Sequence, residues 1–128
     1  MSGFEISPTI IHASHAIQRY GDGRFGIADQ VFEGSVLVFA NHAELWELGD
    51  APAILADDLS AVIQRSDDLD ILIIGCGDQF SPPPQDLRHA LKEHGIVLEW
   101  MDTGAACRTF NVLLSEARRV AAALIAVV

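Results

Sequence analysis

The chain has 128 residues, half of them hydrophobic, so it is long enough to bury a core and too apolar to be disordered. Its 18 acidic and 8 basic residues give a formal net charge of −10, which disfavours general nucleic-acid binding because such a surface repels phosphate backbones. This length is typical of one domain, and we expect residues 1–128 to fold as a single α/β domain.

Two features predict a cytoplasmic protein that does not insert into a membrane. The N-terminal stretch MSGFEISPTI lacks the cationic region and long apolar run of a secretory signal. The most apolar segment, VAAALIAVV at 120–128, is far shorter than the roughly 20 residues that a membrane-spanning helix needs. In that compartment the two cysteines, Cys76 and Cys107, are expected to be reduced and unbridged.

The first half of the chain is predicted to be rich in β-structure. AIQRYGDGRFGI (16–27) places apolar or aromatic stretches on either side of a Gly-Asp-Gly turn, which is a hairpin pattern. GSVLVFA (34–40) is a β-branched run that begins after a glycine and predicts a strand. Trp46 and Leu48 follow in a short segment without a clear period.

The second half alternates helices with strands. Leu59, Val62 and Ile63 recur at helical spacing after two aspartates that suit a helix start. The other predicted elements, in order, are a buried strand DILIIG (70–75), a helix in SPPPQDLRHALKEHG (81–95) with proline in its first turn and Gly95 after its end, a strand IVLEWMD (96–102), a helix from Asp102 or Thr103 to about Arg118, and a last strand in 120–128. This order predicts a three-layer α/β fold with a central mixed sheet, helices on both faces and an N-terminal hairpin region.

The stretch DTGA (102–105) resembles the signature of an aspartic protease, but its surroundings argue against that class. A protease would continue as strands, whereas Ala106, Phe110, Leu113, Leu114 and Ala117 form a helical apolar stripe. The hydrophobic-hydrophobic-glycine segment that should follow the aspartate precedes it instead, at 72–75. We therefore interpret DTGA as a helix start and predict no catalytic residue.

That helix start is one half of a candidate binding site for a small anion. Asp102 and Thr103 are good N-caps, and the small residues after them leave the first N–H groups uncovered. Beside the apolar stripe runs a polar stripe with two cations, formed by Arg108, Asn111, Ser115 and Arg118. The alternatives are a solvated helix face or buried structural hydrogen bonds.

The other half of the candidate site is GCGD (75–78), which ends a predicted buried strand where α/β sheets tend to bind ligands. Phe80 stands in place of the third glycine of a dinucleotide fingerprint, so the alternative is simply a tight turn. The full set of predicted ligand-binding residues is Gly75, Gly77, Asp78, Asp102, Thr103, Arg108 and Asn111.

The remaining reactive side chains do not indicate a metal or a cofactor, and we predict neither. Cys107 near a helix start could have a lowered pKa and react, but a small buried cysteine is the commoner arrangement. The five histidines, His12, His15, His42, His89 and His94, follow no metal-ligand spacing.

Several segments together resemble a small α/β family described as a domain of unknown function. They are RYGDGRFGI, GSVLVF with Trp46, IIGCGD, and MDTGAACRTFNVLLSEARRVAAALI. Eukaryotic members of that family include mitochondrial respiratory complex I assembly factor three and an adipogenesis-associated protein, and this chain resembles a bacterial member. The family usually has glycine where this chain has Ala117.

The resemblance implies a three-layer α/β fold whose central mixed sheet has its last strand antiparallel to the others. It also implies a non-catalytic interaction or assembly-factor-like module with an unidentified protein partner. The alternative is a small-ligand-binding domain or enzyme, with a site between the 75–78 loop and the start of the helix at 103.

Overall fold

The computed structural model describes residues 15–48 and 54–128, and in these the fold combines a five-stranded sheet, a three-stranded sheet and three helices. The strands are β1 (Ile17–Gly21), β2 (Arg24–Ile27), β3 (Gln30–Glu33), β4 (Val36–Phe39), β5 (His42–Leu45), β6 (Ile71–Gly75), β7 (Val97–Met101) and β8 (Val120–Leu124). The helices are α1 (Ser60–Ile63), α2 (Leu87–Lys92) and α3 (Thr103–Ser115), with 3₁₀ turns at Ala56–Leu59 and Ser66–Asp68.

The five-stranded sheet has the order β5-β4-β8-β6-β7 and is mixed, as predicted. Strands β6, β7 and β8 are parallel, whereas β4 is antiparallel to both β8 and β5. The expectation that the last strand runs antiparallel to the others is therefore wrong. The reason is the crossover through α3, which returns the chain in its original direction and inserts β8 parallel to β6 at the centre of the sheet.

The three-stranded sheet, in the order β1-β2-β3, confirms the predicted hairpin. Asp22 and Gly23 at the tip have φ values of 54° and 73°, the two positive angles that a type I′ turn requires. The second turn has the same form with Ala28 and Asp29. Strands β3 and β5 were not predicted, because QVFE and HAEL are short segments that are mostly exposed or half-exposed.

Each face of the five-stranded sheet contributes to a separate core. On one face Leu72, Ile74 and their neighbours pack against apolar side chains of α1, α2 and the first 3₁₀ turn. On the other face Ile73 and its neighbours pack against Phe110 of α3 and Phe25 of the three-stranded sheet. The three-layer arrangement was predicted. The prediction did not include that the three-stranded sheet packs beside α3 on the same face of the five-stranded sheet. A helix about 10 Å wide covers only about two strands spaced roughly 4.8 Å apart.

Two helix boundaries differ from the sequence-based expectation. Helix α2 begins at Leu87, so the prolines at 82–84 precede it and Asp86 occupies its N-cap. Consecutive prolines favour extended backbone, because each one disfavours the helical region for the residue before it. Helix α3 ends at Ser115 and not near Arg118. Ala117, with a φ of 58°, reverses the chain and lies outside the apolar stripe to which it was assigned.

Candidate functional site

The GCGD loop and the start of α3 lie side by side because β6 and β7 are parallel neighbours. The strands pair from Ile71 with Val97 to Gly75 with Met101, so both chains leave the sheet at the same edge. Strand β8 is also parallel to β6 and ends there, with Leu124 beside Gly75. In open α/β sheets this edge, where parallel strands end, is the usual place for ligands.

Thr103 holds this edge together and is completely buried. Its hydroxyl oxygen accepts a hydrogen bond from the Gly77 N–H at 3.0 Å and donates one to the Ile125 carbonyl at 2.8 Å. Its backbone N–H donates to the Gly77 carbonyl at 2.9 Å. The hydroxyl therefore uses both its acceptor and its donor capacity within the protein. Together the three bonds join the segments that follow β6, β7 and β8.

The two glycines of the GCGD loop are explained by backbone geometry. A Cβ atom on Gly75 would lie 2.8 Å from the Thr103 Cα, closer than real Cβ contacts allow. Gly77 has a φ of 122°, which side chains other than hydrogen strongly disfavour. Gly75 and Gly77 thus shape the loop, as the tight-turn alternative requires.

Asp102 caps α3, as the sequence predicted. Its Oδ1 atom accepts a hydrogen bond from the Ala105 N–H at 2.9 Å, and its backbone is extended. The same side chain lies on the wall of a cleft of about 230 Å³ above the helix start. The cleft is lined by Tyr20, Gly21, Asp78, Asp102, Gly104, Arg108, Val127 and Val128.

Arg108 provides the positive charge in this cleft. Its Nη1 atom donates a hydrogen bond to the Tyr20 hydroxyl at 3.3 Å. Among the described residues the ion pairs are His42–Glu44 and Arg119–Asp70, so neither Asp78 nor Asp102 pairs with the guanidinium. The cleft therefore brings together Asp78, Asp102 and Arg108 of the predicted set while leaving the guanidinium accessible.

Sequence reasoning missed Tyr20, which lies 88 positions before Arg108. It reaches the cleft because β1 packs near α3, and a Cβ on Gly104 would lie 2.9 Å from its hydroxyl. The absence of a side chain at Gly104 therefore makes room for Tyr20. No local spacing links a hairpin tyrosine to a helix start so far along the chain.

Asn111, the remaining member of the predicted set, lies outside the cleft lining and is buried. Its carboxamide is hydrogen-bonded to the backbone of Ile17. Ser115 and Arg118, in contrast, are exposed, so the polar stripe does not form one continuous surface. Asn111 therefore forms buried structural hydrogen bonds, which was one of the two alternatives to a binding site on this helix.

The two cysteines are free and differ in environment. Burial raises the pKa of the Cys107 thiol to about 12, a change that the nearby Arg108 guanidinium only partly offsets. Cys107 is thus the small buried cysteine considered above, and its thiol stays protonated at neutral pH. Cys76 is half-buried, with its Sγ atom 3.6 Å from the Gln79 carbonyl oxygen.

The histidine at position 12 lies outside the described residues, 15–48 and 54–128. Within those ranges no group of three or more His, Cys, Asp or Glu side chains is arranged to hold a metal ion. Within the same ranges no helix has both the length and the apolar character required to cross a bilayer.

Comparison with known proteins identifies relatives over most of the chain. An uncharacterized protein of Rhodobacter capsulatus is 38% identical over 109 residues, which are 85% of this chain and 82% of that protein. NADH dehydrogenase [ubiquinone] 1 alpha subcomplex assembly factor 3 of Drosophila melanogaster is 38% identical over 99 residues, 76% of this chain. The match covers only 50% of that assembly factor, so this chain spans about half its length.

The fold also has a close counterpart among solved structures. The crystal structure of a protein from Bartonella henselae, described as an outer membrane protein, superimposes with a TM-score of 0.83 and 38% identity. The match covers 92% of this chain and 99% of that one. The family model described as "Protein of unknown function (DUF498/DUF598)" matches residues 17–125. This chain belongs to the DUF498/DUF598 family.

Proposed function

We propose that this chain is an assembly-factor-like module that binds a protein partner and catalyses no reaction. The observation that carries the proposal is the 38% identity to a protein named as an assembly factor of NADH dehydrogenase. Because the chain spans about half of that relative, the proposal concerns the shared α/β part, which we treat as a single domain over residues 1–128.

The environments of the Cys107 thiol and the Thr103 hydroxyl support a non-catalytic role. General base or nucleophilic catalysis needs a group that is accessible and has a pKa near the working pH. The Cys107 thiol is buried with its pKa raised to about 12, and the Thr103 hydroxyl is held by two hydrogen bonds. The Thr103 hydroxyl therefore holds the edge together, the Cys107 thiol belongs to the buried core, and neither group is well suited to act on a substrate.

Affinity purification of the tagged chain from its own cells, with proteins and small molecules both analysed by mass spectrometry, tests this function. We expect one protein, or a small set of subunits, at a ratio near one to one with the tagged chain. The same partner should be absent from a purification with an unrelated tagged α/β protein. Recovery of a stoichiometric small molecule without any protein partner would contradict the proposal.

A second candidate function is binding of a small anion in the cleft above α3, and one observation favours it. The Arg108 guanidinium faces the cleft without an ion pair among the described residues, beside the N–H groups of a helix start. In this proposal Arg108 contacts the ligand, Asp78 and Asp102 border it, and Gly75, Gly77 and Thr103 form the frame. The names of the relatives support the interaction module and not this alternative.

A further inference from the structure

We propose that the protein partner inserts a short apolar segment, flanked by Lys or Arg, into a groove on the α2 side of the molecule. This inference rests on the proposed interaction function and specifies its surface. The α2 groove, as we name it, is lined by Ile54, Leu55, Pro82, Pro84, Ala90 and Trp100. It shares no lining residue with the Arg108 cleft.

The α2 groove consists of two adjoining hollows. One, of about 180 Å³, lies between Cys76, Trp100 and the proline loop, and the other, of about 200 Å³, lies beside α2. Ile54 and Pro84 line both, so the hollows lie next to each other and these two residues stand between them. Each is smaller than the roughly 300–1,000 Å³ of typical small-molecule sites, and the pair is better suited to successive side chains of a polypeptide.

Large apolar side chains are exposed on the groove wall and in the proline loop beside it. Leu55 on its wall is 58% exposed, and Phe80, which lines neither hollow but directly precedes the lining residues Ser81 and Pro82, is 63% exposed. Isolated apolar side chains on a surface are ordinary, but large ones gathered around an apolar groove are typical of interaction sites. Covering them would remove apolar area from water and favour association.

Hydrogen bonds hold the groove walls in place before any partner arrives. The Trp100 indole N–H donates to the Ser81 carbonyl at 2.6 Å, which fixes the proline loop against β7. In the second hollow the N–H of the lining residue Leu55 donates to Asp58 Oδ2 at 2.8 Å. A preformed groove loses little conformational freedom on binding, so more of the contact energy remains as affinity.

The charges at the rim determine which segment fits. Asp86 lines the groove and Asp57 follows the lining residue Ala56, and both carboxylates are exposed without ion pairs among the described residues. Arg88, two residues after Asp86, donates instead to the Leu98 carbonyl at 2.6 Å on the edge of the sheet, and Lys92 lies at the other end of α2. In a chain with a net charge of −10, these carboxylates attract cationic flanks and disfavour acidic segments.

The test is selection of a random 12-residue peptide library on the purified chain, followed by fluorescence anisotropy with the enriched peptides. We expect enriched sequences to combine two or more apolar residues with Lys or Arg. Leu55→Ser should weaken their binding about tenfold, the effect of losing one well-packed contact. Asp86→Asn should weaken it by about threefold at low salt and less at high salt, because salt screens exposed charges.

Two matched substitutions control for general effects. Val112→Ser replaces an apolar side chain that is 54% exposed on α3, away from the groove. Glu116→Gln removes one exposed carboxylate, as Asp86→Asn does, at the end of α3. Both controls should bind the peptides like the parent, and all four variants should unfold within about 1 kcal/mol of the parent, as is usual for surface substitutions.

Two outcomes would overturn the groove proposal. Either the library yields no peptide that binds, or the enriched peptides bind the Leu55→Ser and Asp86→Asn variants as tightly as the parent. The purification from cells, repeated with the Leu55→Ser/Asp86→Asn double variant, separates this failure from failure of the proposed function. If parent and double variant retain the same partner equally, the function stands and the groove does not; if the parent retains none, the function fails.

Discussion

The carboxamide of Asn111 forms two hydrogen bonds with the backbone of Ile17, which lies 94 residues earlier in the chain. The amide oxygen accepts from the Ile17 N–H and the amide nitrogen donates to the Ile17 carbonyl, both at 2.8 Å. Ile17 begins β1, so this pair of bonds joins the three-stranded sheet to α3. Ile17 is buried, and these two bonds pair its backbone N–H and carbonyl groups, which would otherwise lack partners inside the protein.

Loss of this side chain should destabilise the protein strongly. Asn111→Ala leaves both Ile17 groups buried without partners, so we expect the free energy of unfolding to fall by about 2–4 kcal/mol. Urea denaturation followed by circular dichroism measures the change. Ser115→Ala, one turn later on the exposed side of α3, should cost less than about 0.5 kcal/mol. Equal losses in the two variants would mean that the Ile17 bonds contribute little.

Ala117 should be a site where a single substitution stabilises the protein. It has a φ of 58° and ends α3, with the Ala117 N–H donating to Leu114 and the Arg118 N–H to Leu113. This is the arrangement in which helices prefer glycine. Because the left-handed conformation costs alanine about 1–2 kcal/mol and glycine almost nothing, Ala117→Gly should raise stability by about 0.5–1 kcal/mol. Thermal unfolding measures this change.

A second glycine substitution serves as the control for Ala117→Gly. Ala105 lies in the first turn of the same helix with ordinary helical geometry, so Ala105→Gly should lower stability by about 0.5–1 kcal/mol. Destabilisation by both substitutions would show that the strain at Ala117 is small.

Asp102 should act as a cap and not as a proteolytic residue. Asparagine caps a helix about as well as aspartate, so Asp102→Asn should change stability little, whereas Asp102→Ala should cost about 1 kcal/mol. Chemical denaturation compares the three proteins, and a peptide-hydrolysis assay is run beside it. Hydrolysis by the parent that disappears in Asp102→Asn would contradict the helix-start interpretation.

The buried Cys107 thiol should make stability fall at alkaline pH. Burial raises its pKa from 9.0 to about 12, so above pH 9 the unfolded chain releases this proton while the folded protein retains it. Deprotonation then favours the unfolded state, and the contribution is lost between pH 9 and 12, by at most about 1.4 kcal/mol per pH unit.

Comparison with Cys107→Ala isolates this effect from other groups that titrate in the same range. Denaturation from pH 8 to 11 should show a steeper loss in the parent than in the variant. In native protein at neutral pH, iodoacetamide should modify Cys76 before Cys107, since only the former is partly exposed. Parallel pH curves for parent and variant would show that the thiol is not protected by burial.

Arg108 can be tested directly as an anion-binding residue. Millimolar sulfate should raise the Tm of the parent, since a ligand that binds the native state stabilises it by mass action. Arg108→Ala should abolish this increment, and Arg24→Ala, which removes an exposed cation from β2, should keep it. Asp78→Asn should enlarge the increment because it removes a carboxylate from the cleft. If sulfate raises the Tm of Arg108→Ala as much as that of the parent, Arg108 does not bind the anion and its role is structural.

Local sequence patterns were sufficient for features that depend on neighbouring residues. The Gly-Asp-Gly turn, the buried run before Gly75 and the Asp102 cap each involve contacts within a few positions, where turn geometry and backbone periodicity act. The family could also be identified from the quoted segments. The structural roles of Gly75 and Thr103 could not be predicted from the sequence. They arise because the end of β6 and the start of α3, 28 positions apart in the chain, come into close contact.

The sequence by itself determined the α/β order, the buried strand before Gly75, the helix start at Asp102 and the family. Tertiary structure decided the direction of β8, the partner of Asn111, the approach of Tyr20 to Arg108 and the adjacency of two hollows at Ile54 and Pro84. The physical reason is range. Backbone preferences act over a few residues, whereas contacts between distant segments depend on how whole elements pack, and one sequence contains no local signal for that arrangement.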